Sequence, residues 1–293
     1  MRAQRARARS SRHSNASATG SPVNASARPQ VLMCPPDFFG VSYVINPWME
    51  GQQGHTDAAE AQAQWTGLKD LIARHADVSL IMPHAGLPDL VFTANAGLAL
   101  EGKVLLSRFR RPQRRGEEHW WRAWFEKAGY EIITPPEELC FEGAGDALFD
   151  EARQTIWLGH GFRSDQEMAP LAAKIFGRET VPLRLIDPRF YHLDTCFCPL
   201  PDGALLYYPA AFDAPSRAEI ERRVAPDQRI AVDESDAIKF CCNAVALDAM
   251  LVLNDASPAL EAQARAHGLA PTRAPLTQFM KAGGAAKCLT LRI

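Results

Sequence analysis

Cys288 lies in the stretch Gly-Gly-Ala-Ala-Lys-Cys-Leu-Thr-Leu-Arg-Ile that runs from Gly283 to Ile293. Two glycines and two alanines leave backbone room beside one thiol. The alternating Leu289, Leu291 and Ile293 then read as a strand that anchors the stretch in a core. A thiol on a small-residue turn can be approached by a substrate, which suits a nucleophile. The competing reading is a buried cysteine at the start of a strand. His192 and Asp194 alternate with Leu193 and so share one face of an extended chain. A histidine that titrates near neutrality is the usual proton shuttle for a thiol nucleophile. A structural histidine is the plainer alternative. His192, Cys196 and Cys198 also offer soft ligands, but no C-x-x-C pair with a partner accompanies them, so no metal is expected.

Other turns carry groups that could hold a charged substrate. Asp89 and Asn95 are six residues apart, an even spacing that keeps both on one face of extended chain. Arg108, Arg110, Arg111, Arg114 and Arg115 follow on one short stretch, either as anion ligands or as a solvated basic loop. Glu142 and Asp146 bracket a Gly-Ala-Gly turn that lets backbone approach a ligand, unless it is an ordinary hairpin with solvated acids. Arg163, Ser164 and Asp165 end a strand and open a helix, with Ser164 read as its N-cap.

The elements that must position these groups repeat. Helical segments at 56–75, 117–128, 164–176, 215–224 and 258–267 lead into short apolar strands at 78–83, 130–135, 180–186, 229–232 and 269–275. Caps support the assignment: Thr56 or Asp57, Ser164, and Ser257 before Pro258. Small or polar turns follow near Asn95, Asp146, Asp194, Asn243 and Cys288, at spacings of 51, 48, 49 and 45 residues. A near-constant period of this size signals a repeat architecture. Five copies of a helix with about three strands predict a closed ring of small sheets, which would gather the equivalent turns on its axis. A doubly wound open sheet is the alternative, but no Gly-x-Gly-x-x-Gly turn and no Walker lysine loop is present.

Composition narrows the function classes. The 293 residues are 47% hydrophobic, enough for a sizeable core, and the net charge of −2 points to neither nucleic acid nor membrane. No apolar run is long enough for a transmembrane helix. Seven cysteines without a secretory signal fit a reducing, cytoplasmic compartment. Residues 1–29 hold six arginines and no acid, and read as a disordered tail, with a transit peptide as the alternative. The remainder, 30–293, reads as a single catalytic domain with 26 basic and 34 acidic residues.

These separated motifs together resemble the guanidino-group-modifying enzymes of the pentein superfamily: Pro-Asp-x-x-Phe-Thr, Glu-Gly-Ala-Gly-Asp, Phe-Arg-Ser-Asp, His-Leu-Asp-Thr and Gly-Gly-x-x-x-Cys. The resemblance covers nearly everything after residue 30. It implies an α/β fold, a five-bladed pseudo-symmetric α/β propeller, with no cofactor and a small guanidino substrate. It implies Cys288 as nucleophile, His192 as acid and base, and Glu142 as the carboxylate that orients His192. Asp89, Asn95 and Asp194 fall where such enzymes grip the guanidinium, and Arg114 and Arg163 where they hold the α-carboxylate. Asn46 and Asp146 are further binding candidates, although the acidic turn is one residue longer than the common Glu-Gly-Gly-Asp. A thiolate beside a cationic substrate and an imidazolium is expected to have a lowered pKa.

Asn95 stands where deiminases have an aspartate, and Asp194 where dimethylarginine hydrolases have a lysine. Together with the run from Val44 to Gly51, this is most similar to arginine dihydrolases, which release ornithine, ammonia and carbon dioxide. The alternatives are dimethylarginine hydrolysis, arginine deimination, amidino transfer, and a non-enzymatic binding protein on the same scaffold. A homo-oligomer is compatible with all of them.

Overall fold

The computed structural model describes residues 28–293, and nearly all of the arginine-rich segment 1–29 lies outside the described residues. Strands and helices alternate in five units, each contributing to one three-stranded sheet. In the second sheet, Gly97–Leu100 pairs antiparallel with Lys103–Leu106, and the helix Glu118–Lys127 returns the chain to Glu131–Ile133, parallel to the centre strand. The third sheet repeats this with Ala147–Asp150, Thr155–His160 and Glu179–Arg184. Phe197–Pro199, Leu205–Tyr207 and Arg229–Ala231 form the fourth, and Val245–Leu247, Met250–Leu253 and Ala270–Arg273 the fifth.

The first sheet is assembled from both ends of the described chain. Gln30–Met33 is its centre strand, antiparallel to Leu291–Arg292 (Leu32 opposite Leu291) and parallel to Asp77–Leu80 (Val31 opposite Val78). The repeat therefore starts inside one unit and closes on it.

The five predicted helix–strand pairs all exist, with most elements shorter than expected. The helix Ala58–Ala73 is capped by Asp57, whose carboxylate accepts from Glu60 N at 2.9 Å. It buries Ala61, Trp65, Leu68 and Ile72, an apolar stripe at helical spacing. Pro258–Ala266 is capped by Ser257, with Pro258 in its first turn. The third cap differs from the expectation. That helix spans Met168–Phe176 and begins after Glu167, while Ser164 is engaged with Asp146. A hydroxyl with a buried carboxylate in reach makes a stronger bond there than at a helix end.

A cycle of hydrogen bonds joins the five turns that precede the sheets. Ala94 N donates to Cys288 O (3.1 Å), and Asn95 Nδ2 donates to Glu142 O (3.0 Å). Leu193 N donates to Asp146 Oδ1 (3.1 Å), Asn243 Nδ2 to Asp194 O (2.9 Å), and Cys288 N to Asn243 Oδ1 (3.2 Å). These are the five turn centres expected from the period. Among the described residues no helix is long and apolar enough to cross a membrane, and all seven cysteines are free.

Candidate active site

Cys288 is 3% exposed, on a turn shaped by its glycines. Gly283 has φ +83°, and a Cβ there would lie 2.8 Å from the Tyr191 hydroxyl, so this position needs glycine on both counts. Tyr191 OH donates to Gly283 O at 2.8 Å and fixes the turn. Cys288 Sγ donates to Asp194 Oδ2 at 3.3 Å and accepts from Asn243 Nδ2 at 3.0 Å. Burial pushes the thiol well above its usual pKa, and the neighbouring Asp194 pushes it further, against weaker opposition from Ala285 N and Asn243. The lowered pKa expected from sequence is therefore not a property of the free site. The charge of Asp194 opposes the thiolate.

His192 Nε2 lies 2.7 Å from Glu142 Oε2, and both residues are buried. Arg163 Nη1 donates to the same carboxylate oxygen at 2.9 Å. Burial alone would raise the Glu142 pKa, but Arg163 first and then His192 outweigh it and hold the carboxyl well below its usual range. An ionised Glu142 can only accept, so Nε2 of His192 carries a proton and Nδ1 is the nitrogen left to act as base. Arg163 also donates to Ile45 O at 3.0 Å and stacks its guanidinium 4.5 Å from the centre of the Tyr191 ring.

Asp89 accepts from the Tyr43 hydroxyl at 2.8 Å through Oδ2, while its Oδ1 has no partner. Burial raises its pKa against the pull of Arg114. Asp194 Oδ1 is likewise buried without a partner. Burial lifts Asp194 up to about 7, against the opposing charge of Lys287. Unpaired buried acceptors are costly, and two in one site mark a place for hydrogen-bond donors.

Arg114 is the only one of the five clustered arginines to face this site. Its Nε and Nη2 donate to the two Glu117 oxygens at 2.7 and 2.8 Å, and its Nη1 to Asn95 Oδ1 at 2.8 Å. Asn95 is thereby held at both ends, by Arg114 and by Glu142 O. Gly145 makes room for it, since a Cβ there would come within 2.2 Å of Asn95 Nδ2. Asn46 donates to Ala282 O and accepts from Trp48 N, both at 3.0 Å.

Asn46, Asp89, Asn95, Arg114, Arg163, His192 and Cys288 line one cavity of about 10 Å³, room for roughly one water. Asp194 and Glu142 are not part of its lining but are bonded to residues that are, Asp194 to Cys288 and Glu142 to His192. Asp146 does not reach the cavity. Its oxygens accept from Ser164 N, Ser164 Oγ and Leu193 N, so it clamps two turns together, and burial raises it up to about 6. The zinc alternative finds no support among the described residues, where no group of three or more His, Cys, Asp or Glu is placed to hold a metal. Sequence reasoning located the Asn243 turn without assigning its side chain to the site. Its signal was the period alone.

The family model for eukaryotic N,N-dimethylarginine dimethylhydrolase matches residues 46–293. The bifunctional arginine dihydrolase/ornithine cyclodeaminase AgrE of Nostoc sp. is 52% identical over 91% of this chain, which spans 38% of that protein. The N(G),N(G)-dimethylarginine dimethylaminohydrolase of Mycobacterium tuberculosis is 40% identical over 94% of this chain and 89% of its own length. The crystal structure of the substrate-bound N-terminal domain of ArgZ, a cyanobacterial arginine dihydrolase, superposes with a TM-score of 0.89 at 52% identity, covering 90% of this chain and 97% of that one. With five α/β units, a buried cysteine and a histidine lining one cavity, that histidine paired with Glu142, and these relatives, the chain belongs to the dimethylarginine dimethylaminohydrolase family of the pentein superfamily.

Proposed function

We propose that the chain is a cysteine-dependent hydrolase of the guanidino group of arginine, an arginine dihydrolase forming ornithine, carbon dioxide and ammonia. The observation that carries this reading is the pair of partnerless buried oxygens, Asp89 Oδ1 and Asp194 Oδ1, at the thiol site. A guanidinium is a planar cation with five N–H donors and meets that deficit. Relatives named for arginine dihydrolase activity, and the ArgZ domain bound to its substrate, support arginine as the source of that group.

On this reading Asp89, Asn95 and Asp194 hold the guanidinium, and the N–H groups that Arg114 and Arg163 leave uncommitted hold the α-carboxylate, with Asn46 beside them. The cation enters next to Cys288 and favours the thiolate. The thiol proton passes to His192, and sulfur attacks the guanidinium carbon. The imidazolium returns the proton to the departing nitrogen, which leaves as ammonia. Water, deprotonated by the same imidazole, then displaces sulfur and gives bound citrulline. A second hydrolysis releases the second ammonia and carbon dioxide, leaving ornithine.

We further infer that the five sheets are blades of a five-bladed propeller around the cycle of turns, and that residues 30–293 form a single catalytic domain. Seven free cysteines fit a reducing, cytoplasmic setting. The second reading is hydrolysis of dimethylarginine to citrulline and dimethylamine, favoured by the family match over 46–293. Mass spectrometry of products from arginine and from dimethylarginine decides. Ornithine with about two ammonia per arginine is expected, all three carbon–nitrogen bonds of the guanidino carbon then being broken. Citrulline and dimethylamine would establish the second reading, and turnover of neither would leave a binding protein.

A further inference from the structure

A second, larger cavity of about 300 Å³ lies on the strand side of the five turns. Leu98, Phe149, Phe197, Leu247 and Leu291, one from each sheet's first strand or the segment in line with it, make its wall apolar. Its size is at the lower end for small-ligand pockets, roughly 300–1,000 Å³. Two cations line it, Lys287 and Arg292, and Arg292 is held by Glu151. The Lys287 ammonium forms no hydrogen bond or ion pair among the described residues, and burial lowers its pKa. Asp194, Cys288 and Cys198 favour its charged form, and Arg292 opposes it. The two acids of the lining do not supply a counter-charge, because each is already paired: Glu101 with Arg178 and Glu151 with Arg292, both at 2.5 Å.

We propose that this cavity is a second ligand site, for a small aliphatic monocarboxylate whose head group pairs with Lys287. An apolar wall with a single unpaired ammonium wants a single anionic head and a short hydrocarbon tail. A neutral ligand would leave the ammonium unpaired, and a dianion would bring a charge that nothing there matches. Lys287 directly precedes Cys288, and its backbone N donates to Asn243 O at 3.2 Å. Its charge also favours ionised Asp194. A carboxylate on Lys287 competes for that field, so occupancy is felt at the thiol site as a weaker preference for ionised Asp194.

The test is calorimetric titration of the full chain with hexanoate, a readout independent of which guanidino compound the enzyme turns over. Wild type is expected to bind one hexanoate. Hexanol and the Lys287→Met variant should each show at least tenfold weaker binding, and Lys287→Arg should stay within about threefold of wild type. Leu247→Trp, which fills the cavity, should abolish binding. Circular dichroism checks each variant's fold, and Lys287→Arg with Leu247→Trp decides the matter if Lys287→Met does not fold. No binding by wild type at about 10 mM, equal binding of hexanol, or undiminished binding to Lys287→Met or Leu247→Trp overturns the proposal.

Discussion

Asn243 holds Cys288 from two directions: its side-chain nitrogen donates to the sulfur at 3.0 Å, and its oxygen accepts from the cysteine's own backbone N at 3.2 Å. The same oxygen accepts from Ala285 N at 3.1 Å. One amide thus fixes the turn and presents a donor to the sulfur, where a thiolate's charge develops. Asn243→Ala should lower kcat on the order of a hundredfold with little change in KM, the loss typical of one preorganised donor. Asn243→Asp should be worse, since a carboxylate beside sulfur opposes the thiolate. The rate of iodoacetamide alkylation against pH checks this, and an unshifted profile in both variants would remove Asn243 from the mechanism.

Cys288→Ser should reduce turnover by at least about a thousandfold while the protein stays folded, because a hydroxyl ionises far less readily than a thiol. Slow turnover by wild type should also trap an adduct on Cys288, and peptide mass spectrometry should find none on Cys241 or Cys242. Serine-variant activity near that of wild type would sink the nucleophile assignment.

The ratio kcat/KM should rise with pH through neutrality. Asp194 is pushed up to about 7 in the free site, and its ionised form is the one that attracts the guanidinium. Below that pH it is protonated and the attraction is lost, and the raised Cys288 pKa acts in the same direction. Bound cation favours the ionised carboxylate, so the corresponding limb of kcat should lie at lower pH. Initial rates from pH 5 to 9 test this. A kcat/KM flat across about pH 6–8 would contradict it.

Glu142→Gln should destabilise the fold by ~3–5 kcal/mol, since it leaves the Arg163 guanidinium buried without its counter-ion. The sign of the pH dependence follows from the native Glu142 pKa lying below its ordinary value of 4.5. The unfolded chain binds the extra proton first as pH falls, so this contribution is complete above that value and is lost through the native pKa. Urea midpoints from pH 3 to 7 should therefore slope less in the variant than in wild type.

Asn95→Asp should shift the product from ornithine toward released citrulline. Arg114 already donates to Oδ1 at 2.8 Å, so a carboxylate is well received on that side. It would lose the donation from Nδ2 to Glu142 O and favour a cationic substrate over neutral citrulline. Product ratios from arginine and from added citrulline decide. Equal ornithine yield in both proteins would detach Asn95 from the second step.

Period carried most of what the sequence made legible. It found the turns of Asn95, Asp146, Asp194, Asn243 and Cys288 because each unit places one turn before its first strand. Asp57 and Ser257 were readable as caps because capping depends on neighbours two or three residues away. Ser164 departs from the expectation because its partner, Asp146, is 18 residues distant, beyond the reach of a capping pattern. Arg114 was seen as a carboxylate ligand, but its additional grip on Glu117 and Asn95 depends on side-chain direction. The raised Cys288 pKa depends on burial beside Asp194 before any cation arrives, and burial is a property of the assembled fold.

The pairing of Leu32 with Leu291 bears on how the protein acquires its activity over time. Contacts this far apart in sequence form late, because closing so large a loop costs entropy before any contact compensates. Cys288 lies three residues before Leu291. Its backbone carbonyl is also an acceptor for Ala94 in the opposite half of the chain. Partly folded species that have formed the middle sheets therefore lack an assembled nucleophile, and the onset of catalysis reports the last stage of folding.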